Sequence, residues 1–256
     1  MIDFMIFIIG LCVGSFLNVC IYRIPTAKSI VKPRSFCPMC KAPIPWYDNI
    51  PVLSYILLMG RCRRCRMPIS PRYVMVEILS ALLALGLYGK FGLTPDFGAY
   101  ALFAAALVTV TFIDLEHREV PDVISLWGMA AGVALFSVLR LDGGTSFISS
   151  FAVSMAGLLA GGAMMFILGV AGEMVFRKEA LGGGDVKLMA MIGSFLGWKL
   201  AVMTFFMAPI LGAGIALFMK LKYKTEAVPY APYLAAGALI NLFWGSRIIE
   251  LLFPLS

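Results

Sequence analysis

The chain has 256 residues, 61% of them hydrophobic and only 14% charged, with a mean hydropathy of +0.93. A soluble domain is nearer half apolar and a quarter charged, so this composition excludes one and indicates a polytopic membrane protein. The net charge of +7 then reports basic cytoplasmic loops rather than affinity for nucleic acid.

Apolar runs suited to crossing a bilayer fall at about 2–22, 74–91, 98–114, 123–139, 150–172, 186–197, 199–219 and 231–252. The first carries Asp3, no lysine or arginine before Leu11 and no A-x-A cleavage pattern, so it is expected to be a retained span. One long polar stretch, 23–73, separates it from the second. The sixth run is short and starts at the edge of a glycine-rich loop. No internal repeat is apparent. The expected division is therefore a first transmembrane helix at 1–22, a loop domain at 23–73 and a seven-helix core at 74–256. The fold class is all-α, with about eight membrane helices.

Orientation follows from the basic residues. With 23–73 in the cytoplasm, all but Lys90, Arg140, Lys199 and Arg247 of the 21 lysines and arginines fall on the inner side. This asymmetry favours eight spans with both termini outside.

The loop reads Cys37-Pro-Met-Cys40 and, after 21 residues, Cys62-Arg-Arg-Cys65. Two such knuckles suit one tetrahedral ion held by four thiolates, and a reducing cytoplasm disfavours disulfides. The expected ion is structural zinc, because four thiolates leave no open position. Cys12 and Cys20 lie in the first span and read as packing residues. Asn18 in that span and Glu77 near the start of the second are polar groups in apolar surroundings. An interhelical hydrogen bond and an interfacial ion pair account for them, as does a site for a polar substrate. Further on, Gly157, Gly161 and Gly162 suit tight helix packing.

The same topology puts two acidic loops on the cytoplasmic face. Asp114 ends an apolar run, and Asp122, after Pro121, suits a helix N-cap. The second loop carries Glu173, Glu179 and the stretch Leu181-Gly182-Gly183-Gly184-Asp185-Val186-Lys187. Glycines there allow a bend or a close approach. If the helices bearing Asp114 and Asp185 pack together, two carboxyls meet and share a proton, one acting as base and one as acid. That is machinery for peptide hydrolysis without a metal or covalent intermediate. The plainer alternative is that both acids are interfacial charges ending helices. Lys187 suits either support of an ionised Asp185 or the positive-inside bias. Among other chemistries, one histidine cannot build an H-E-x-x-H zinc site, and a serine nucleophile would need Ser194 with His117 as base.

Taken together, these features resemble the type IV prepilin leader peptidases and N-methyltransferases. The resemblance rests on Gly14-Ser-Phe-Leu-Asn-Val-Cys-Ile-Tyr-Arg-Ile-Pro25, the knuckles around Trp46-Tyr-Asp-Asn-Ile-Pro51, and Ile69-Ser-Pro-Arg-Tyr73 leading to Glu77. It continues through Ile113-Asp114 to Pro121-Asp122 and Gly182-Gly-Gly-Asp185-Val-Lys187-Leu, which has the G-x-G-D form of intramembrane aspartyl proteases. It implies a catalytic Asp114 and Asp185, with Gly182, Gly184 and Lys187 in the supporting loop. It further implies that type IV prepilins or type II secretion pseudopilins are cleaved after a glycine at the inner face of the bacterial inner membrane. The new N-terminus would then be methylated with S-adenosylmethionine, with Asn18 and Glu77 as a candidate substrate or methyl-donor region. Ala231 stands where the family usually has glycine. The rival reading is a non-enzymatic assembly factor that docks partners through its zinc loop.

Overall fold

The computed structural model describes residues 1–139, 146–177, 182–223 and 229–252. Arg140, Lys178, Glu179, Leu181 and Lys224, named or counted above, lie outside them. Nine α-helices run along the described chain. They are α1 (Ile2–Arg23), α2 (Leu53–Leu57), α3 (Arg72–Phe91), α4 (Pro95–His117), α5 (Asp122–Leu139), α6 (Phe147–Phe176), α7 (Gly183–Leu196), α8 (Trp198–Tyr223) and α9 (Ala231–Leu252). Apart from the short α2, they match the eight expected apolar runs. Six of them (α1, α3, α4, α5, α6 and α9) are long and apolar enough to cross a membrane on their own. The protein is an all-helical, polytopic membrane protein.

Contacts divide the chain into two compact units, Met1–Thr109 and Val110–Ser256, with the division inside α4. In the first, α1 and α3 pair antiparallel along a seam of small residues. A Cβ added to Gly10 would lie 2.6 Å from Ala81 Cα, and one added to Gly14 would lie 2.6 Å from Glu77 Cα. One turn on, Asn18 Nδ2 donates to Tyr73 O at 3.0 Å. Lipid supplies no hydrophobic drive for helices to associate, so this backbone-to-backbone approach and its packing hold the pair.

The second unit is built around α7. Every residue from Leu188 to Leu196 is buried, with α5, α6, α8 and α9 all packed against this one helix. Fourteen residues give α7 a length of about 21 Å, short of the roughly 30 Å hydrocarbon layer. It stops at Gly197, whose φ of 78° breaks the helix, and α8 starts at the next residue. The crossing of α6 and α7 needs glycine on both sides. A Cβ on Gly157 would overlap Gly193 O, and one on Gly193 would overlap Gly157 O. Gly161 abuts the Met189 carbonyl in the same way. The glycine series of α6 is thus a packing face for α7.

Candidate active site and metal centre

Asp114 lies in the last turn of α4 and is only 6% exposed. Its Oδ2 accepts a hydrogen bond of 3.1 Å from the backbone N–H of Ala231, the first residue of α9. That N–H is one of the donors a helix start leaves unpaired, and it sits at the positive end of the helix dipole. Asp185 lies in the first turn of α7, ahead of its apolar run and outside the six candidate spans. Burial, and after it the negative charge of Asp114, push its carboxyl up to about 7. Burial and then the charge of Asp185 push the phenol of Tyr230 up to about 12. The Tyr230–Ala231 entry to α9 thus meets Asp114 through its amide and lies within the field of Asp185. Among the described residues no hydrogen bond joins the two carboxyls; they are coupled through charge.

The two acidic loops touch at Gly184, where an added Cβ would lie 2.8 Å from Val120 Cβ. Gly183 has open space, and none of Gly182, Gly183 and Gly184 has a positive φ. The run of glycines therefore serves close approach at one position rather than a left-handed bend. Asp122 does not cap α5 as expected. It is the first helical residue, while the Pro121 carbonyl accepts from Ile124 N–H and Ser125 N–H. Its carboxylate takes Lys187 Nζ at 2.6 Å, so Lys187 ties the start of α7 to α5 instead of reaching Asp185. Both side chains are well exposed, so this tie contributes no more than about 1 kcal/mol. Sequence reasoning passed over Tyr230, and took Ala231 only as a departure from a family glycine. The available signal was Pro229-Tyr-Ala-Pro232, a helix start on the same face as the acids. Ser194 is buried in α7 and donates to Met191 O at 2.7 Å, and His117 is exposed, which removes the case for a serine–histidine pair.

In the first unit, Cys37, Cys40, Cys62 and Cys65 bring their sulfurs within 4.8 Å of one another. Zinc–thiolate bonds of about 2.3 Å in a tetrahedron put sulfurs about 3.8 Å apart. Cys37 Sγ and Cys65 Sγ are 3.8 Å apart. The donor set and spacing fit one zinc ion. Each knuckle closes the same way. Cys37 N–H donates to Ala42 O and Cys62 N–H to Met67 O, both at 2.9 Å; Lys41 and Arg66 both turn through positive φ. A short bridge pairs Phe36 with Pro43, and another pairs Arg61 with Pro68. The two halves are thus a structural repeat (Cys37 onto Cys62, Lys41 onto Arg66, Pro43 onto Pro68), contrary to the expectation of none. In sequence it is visible only in the two cysteines, a basic residue and a Pro-Ile pair (Pro43-Ile44 onto Pro68-Ile69). Backbone N–H groups of Cys65 and Arg64, aimed at Cys62, hold its thiol down at about 6, while Cys65 beside the other three sulfurs is pushed up to about 11, so the crowded thiols do not all ionise readily without a cation among them.

Asn18 and Glu77 are both buried in the α1–α3 pair. Glu77 Oε2 accepts from Val52 N–H at 2.8 Å. Asn18 Nδ2 binds the Gly14 and Tyr73 carbonyls, while its Oδ1 is buried without a partner.

Residues 8–91 match the family model for the bacterial peptidase A24 N-terminal domain, and residues 101–217 match that for the type IV leader peptidase family. The chain belongs to the type IV leader peptidase family. A Myxococcus xanthus protein named prepilin leader peptidase/N-methyltransferase is 41% identical over 216 residues, covering 84% of this chain and 62% of that relative. Proteins of the same name from Aeromonas hydrophila and Pseudomonas aeruginosa are 35% and 30% identical. They match over 95% and 94% of this chain and 91% and 90% of their own lengths. No solved structure matches the chain significantly. The first matched segment of the family contains the four cysteines, Asn18 and Glu77. The second contains Asp114 and Asp185, and the Tyr230–Ala231 turn lies beyond it.

Proposed function

We propose that this protein is a membrane aspartyl endopeptidase. It cleaves the leader of type IV prepilins or type II secretion pseudopilins after a glycine, at the cytoplasmic face of the bacterial inner membrane. The observation that carries the reading is the unequal environment of two coupled acids. Asp114 accepts a backbone amide hydrogen bond at the start of α9, and Asp185, buried and facing the charge of Asp114, keeps a proton up to about pH 7. In this reading Asp114 takes a proton from the attacking water while Asp185 protonates the scissile carbonyl oxygen. The tetrahedral intermediate then collapses as Asp114 passes that proton to the peptide nitrogen, Asp185 takes back the proton on the former carbonyl oxygen, and the C–N bond breaks to leave a carboxyl and an amine. The substrate's basic leader lies in the cytoplasm and its apolar helix in the bilayer, so the bond to be cut sits between them. Gly182, Gly184 and Lys187 support the loop.

The loop 23–73 is read as a zinc-stabilised domain between a first span at 1–22 and a membrane core at 74–256, with both termini outside. Zinc bound by four thiolates would organise the knuckles and leave no position for substrate. The relatives' names include N-methyltransferase, which supports a second activity; in this reading it methylates the new N-terminus from S-adenosylmethionine. Asn18 Oδ1, a buried acceptor without a partner, and the neighbouring Glu77 are the region we assign to the amine or its methyl donor.

The test is mass spectrometry of a cognate prepilin's N-terminus after incubation with purified protein and S-adenosylmethionine, beside Asp114→Asn and Asp185→Asn. A shortened, methylated product from wild type and an intact leader with both folded variants is expected. Shortening without methylation would remove the transferase. Intact leader in every lane would favour the docking factor.

A further inference from the structure

The segment between the 3-10 turn at Trp46–Asp48 and the second knuckle has a face that the active-site reading leaves unused. Val52 N–H is bonded to Glu77 Oε2. Glu77 lies five residues into α3, about 7.5 Å along its axis from Arg72. Because α3 is a membrane-spanning helix by length and composition, this bond draws the loop back beside the span. The fold-back is enforced. Val52, a β-branched residue, is held at a φ of 60°, a conformation that persists only where its surroundings fix it. Ser54 is buried, donating to Tyr47 O and accepting from Ile50 N–H, both at 3.0 Å.

With Ser54 turned inward, the other side of α2 and its flanks is apolar and uncovered. Ile56 is 63% exposed, Leu57 69%, Trp46 77% and Met59 85%, with Leu53 beside them. The chain then runs into Arg61, Arg64 and Arg66, all exposed. Apolar side chains level with the first turns of a span, a tryptophan among them and a basic run following, match the physical layering of a bilayer surface. Tryptophan favours the headgroup level, and lysines or arginines near an anionic leaflet are attracted to it.

We propose that residues 46–59 form an interfacial anchor. In it Leu53, Ile56 and Leu57 lie in the headgroup–acyl boundary of the leaflet that borders the cysteine loop, and the arginines of the second knuckle bind anionic headgroups. The loop is then docked to lipid as well as tied to α3.

The test is depth-dependent fluorescence quenching in the full-length protein in nanodiscs containing anionic lipid. Trp46 is kept as the single tryptophan, with Trp127, Trp198 and Trp244 changed to Phe. Quenching of Trp46 by chain-brominated lipid is expected, stronger with bromines near the headgroup than near the chain end. In the otherwise native protein, a photoreactive leucine analogue at position 57 is expected to yield lipid adducts by mass spectrometry. This arm stands if the tryptophan variant does not fold. Absence of both quenching and adducts would overturn the proposal. So would a Trp46 that stays unquenched in lipid alone and is shielded only when a prepilin leader–helix peptide is added, which would assign the face to substrate.

Discussion

The first backbone amide of α9, at Ala231, holds Asp114 Oδ2 at 3.1 Å, joining positions 117 residues apart. A hydrogen bond to a charged group contributes roughly 1.5–3 kcal/mol, so its loss should lower kcat/KM about ten- to hundredfold. Ala231→Pro removes the N–H at a helix position that otherwise suits proline. Ala231→Gly retains it. We expect Ala231→Gly to keep the wild-type pH profile. Ala231→Pro should lose activity and alter that profile, as Asp114 loses its amide donor. Replacing Ala231 by lactic acid, which swaps only N–H for oxygen, separates this from misfolding. An unchanged profile with the ester would sink the role given to this amide.

Asp185 also gives pH dependence a definite sign. Its carboxyl is raised from 3.8 to about 7, so the folded protein holds a proton there that the unfolded chain has released. Stability therefore falls as pH rises through that window and levels off above it. Cleavage should fall above about pH 7, as the pair loses the proton it shares. Thermal unfolding in nanodiscs at pH 5 and pH 8 checks the first point. Wild type should lose stability at the higher pH, and Asp185→Asn should lose less. Equal losses in both proteins would place the titrating group elsewhere.

How much of this was legible in the sequence depends on the kind of signal. Hydropathy marked each long helix to within a few residues, because an unbroken apolar run has one stable arrangement in lipid. The cysteine cluster was legible because metal geometry constrains spacing. The part played by Ala231 was not, since any residue but proline supplies an N–H and the side chain carries no trace of it. The pairing of Asp122 with Lys187 was hidden for a related reason. Local rules suggested a cap for one and either Asp185 support or the positive-inside bias for the other, but the fold brought them to each other. The short α2 lacks a helical period long enough to read, and the positive φ of Val52 follows no local preference.

Within the glycine loop, two neighbours should behave differently. Gly183 has nothing within 4 Å of an added Cβ, whereas at Gly184 that atom would press on Val120 at 2.8 Å. Gly183→Ala should cleave at close to the wild-type rate. Gly184→Ala must push apart the loops that carry the two acids, at about 1–3 kcal/mol of overpacking. Its cleavage rate should drop by an order of magnitude or more. Single-turnover cleavage assays decide the matter, and equal rates for the two variants would show that the contact with Val120 does not set the spacing of the acids.

The cysteine cluster should hold one zinc per chain, and its removal should separate stability from chemistry. Cys37 is the most enclosed of the four ligands, so Cys37→Ser leaves a buried hydroxyl in place of a thiolate and should release most of the metal. Binding energies for structural zinc in finger peptides are about 10–16 kcal/mol, an upper bound on what the knuckles would lose. A strong chelator should act in the same direction, more effectively at lower pH, where thiolates are protonated. Elemental analysis, melting temperature and limited proteolysis between residues 35 and 69 would follow the change. We expect early cutting in that segment, while the aspartate pair still cleaves a prepilin as long as the membrane helices stay folded. If cleavage vanished with zinc content and melting temperature unchanged, the cluster would be acting on substrate and not as a scaffold.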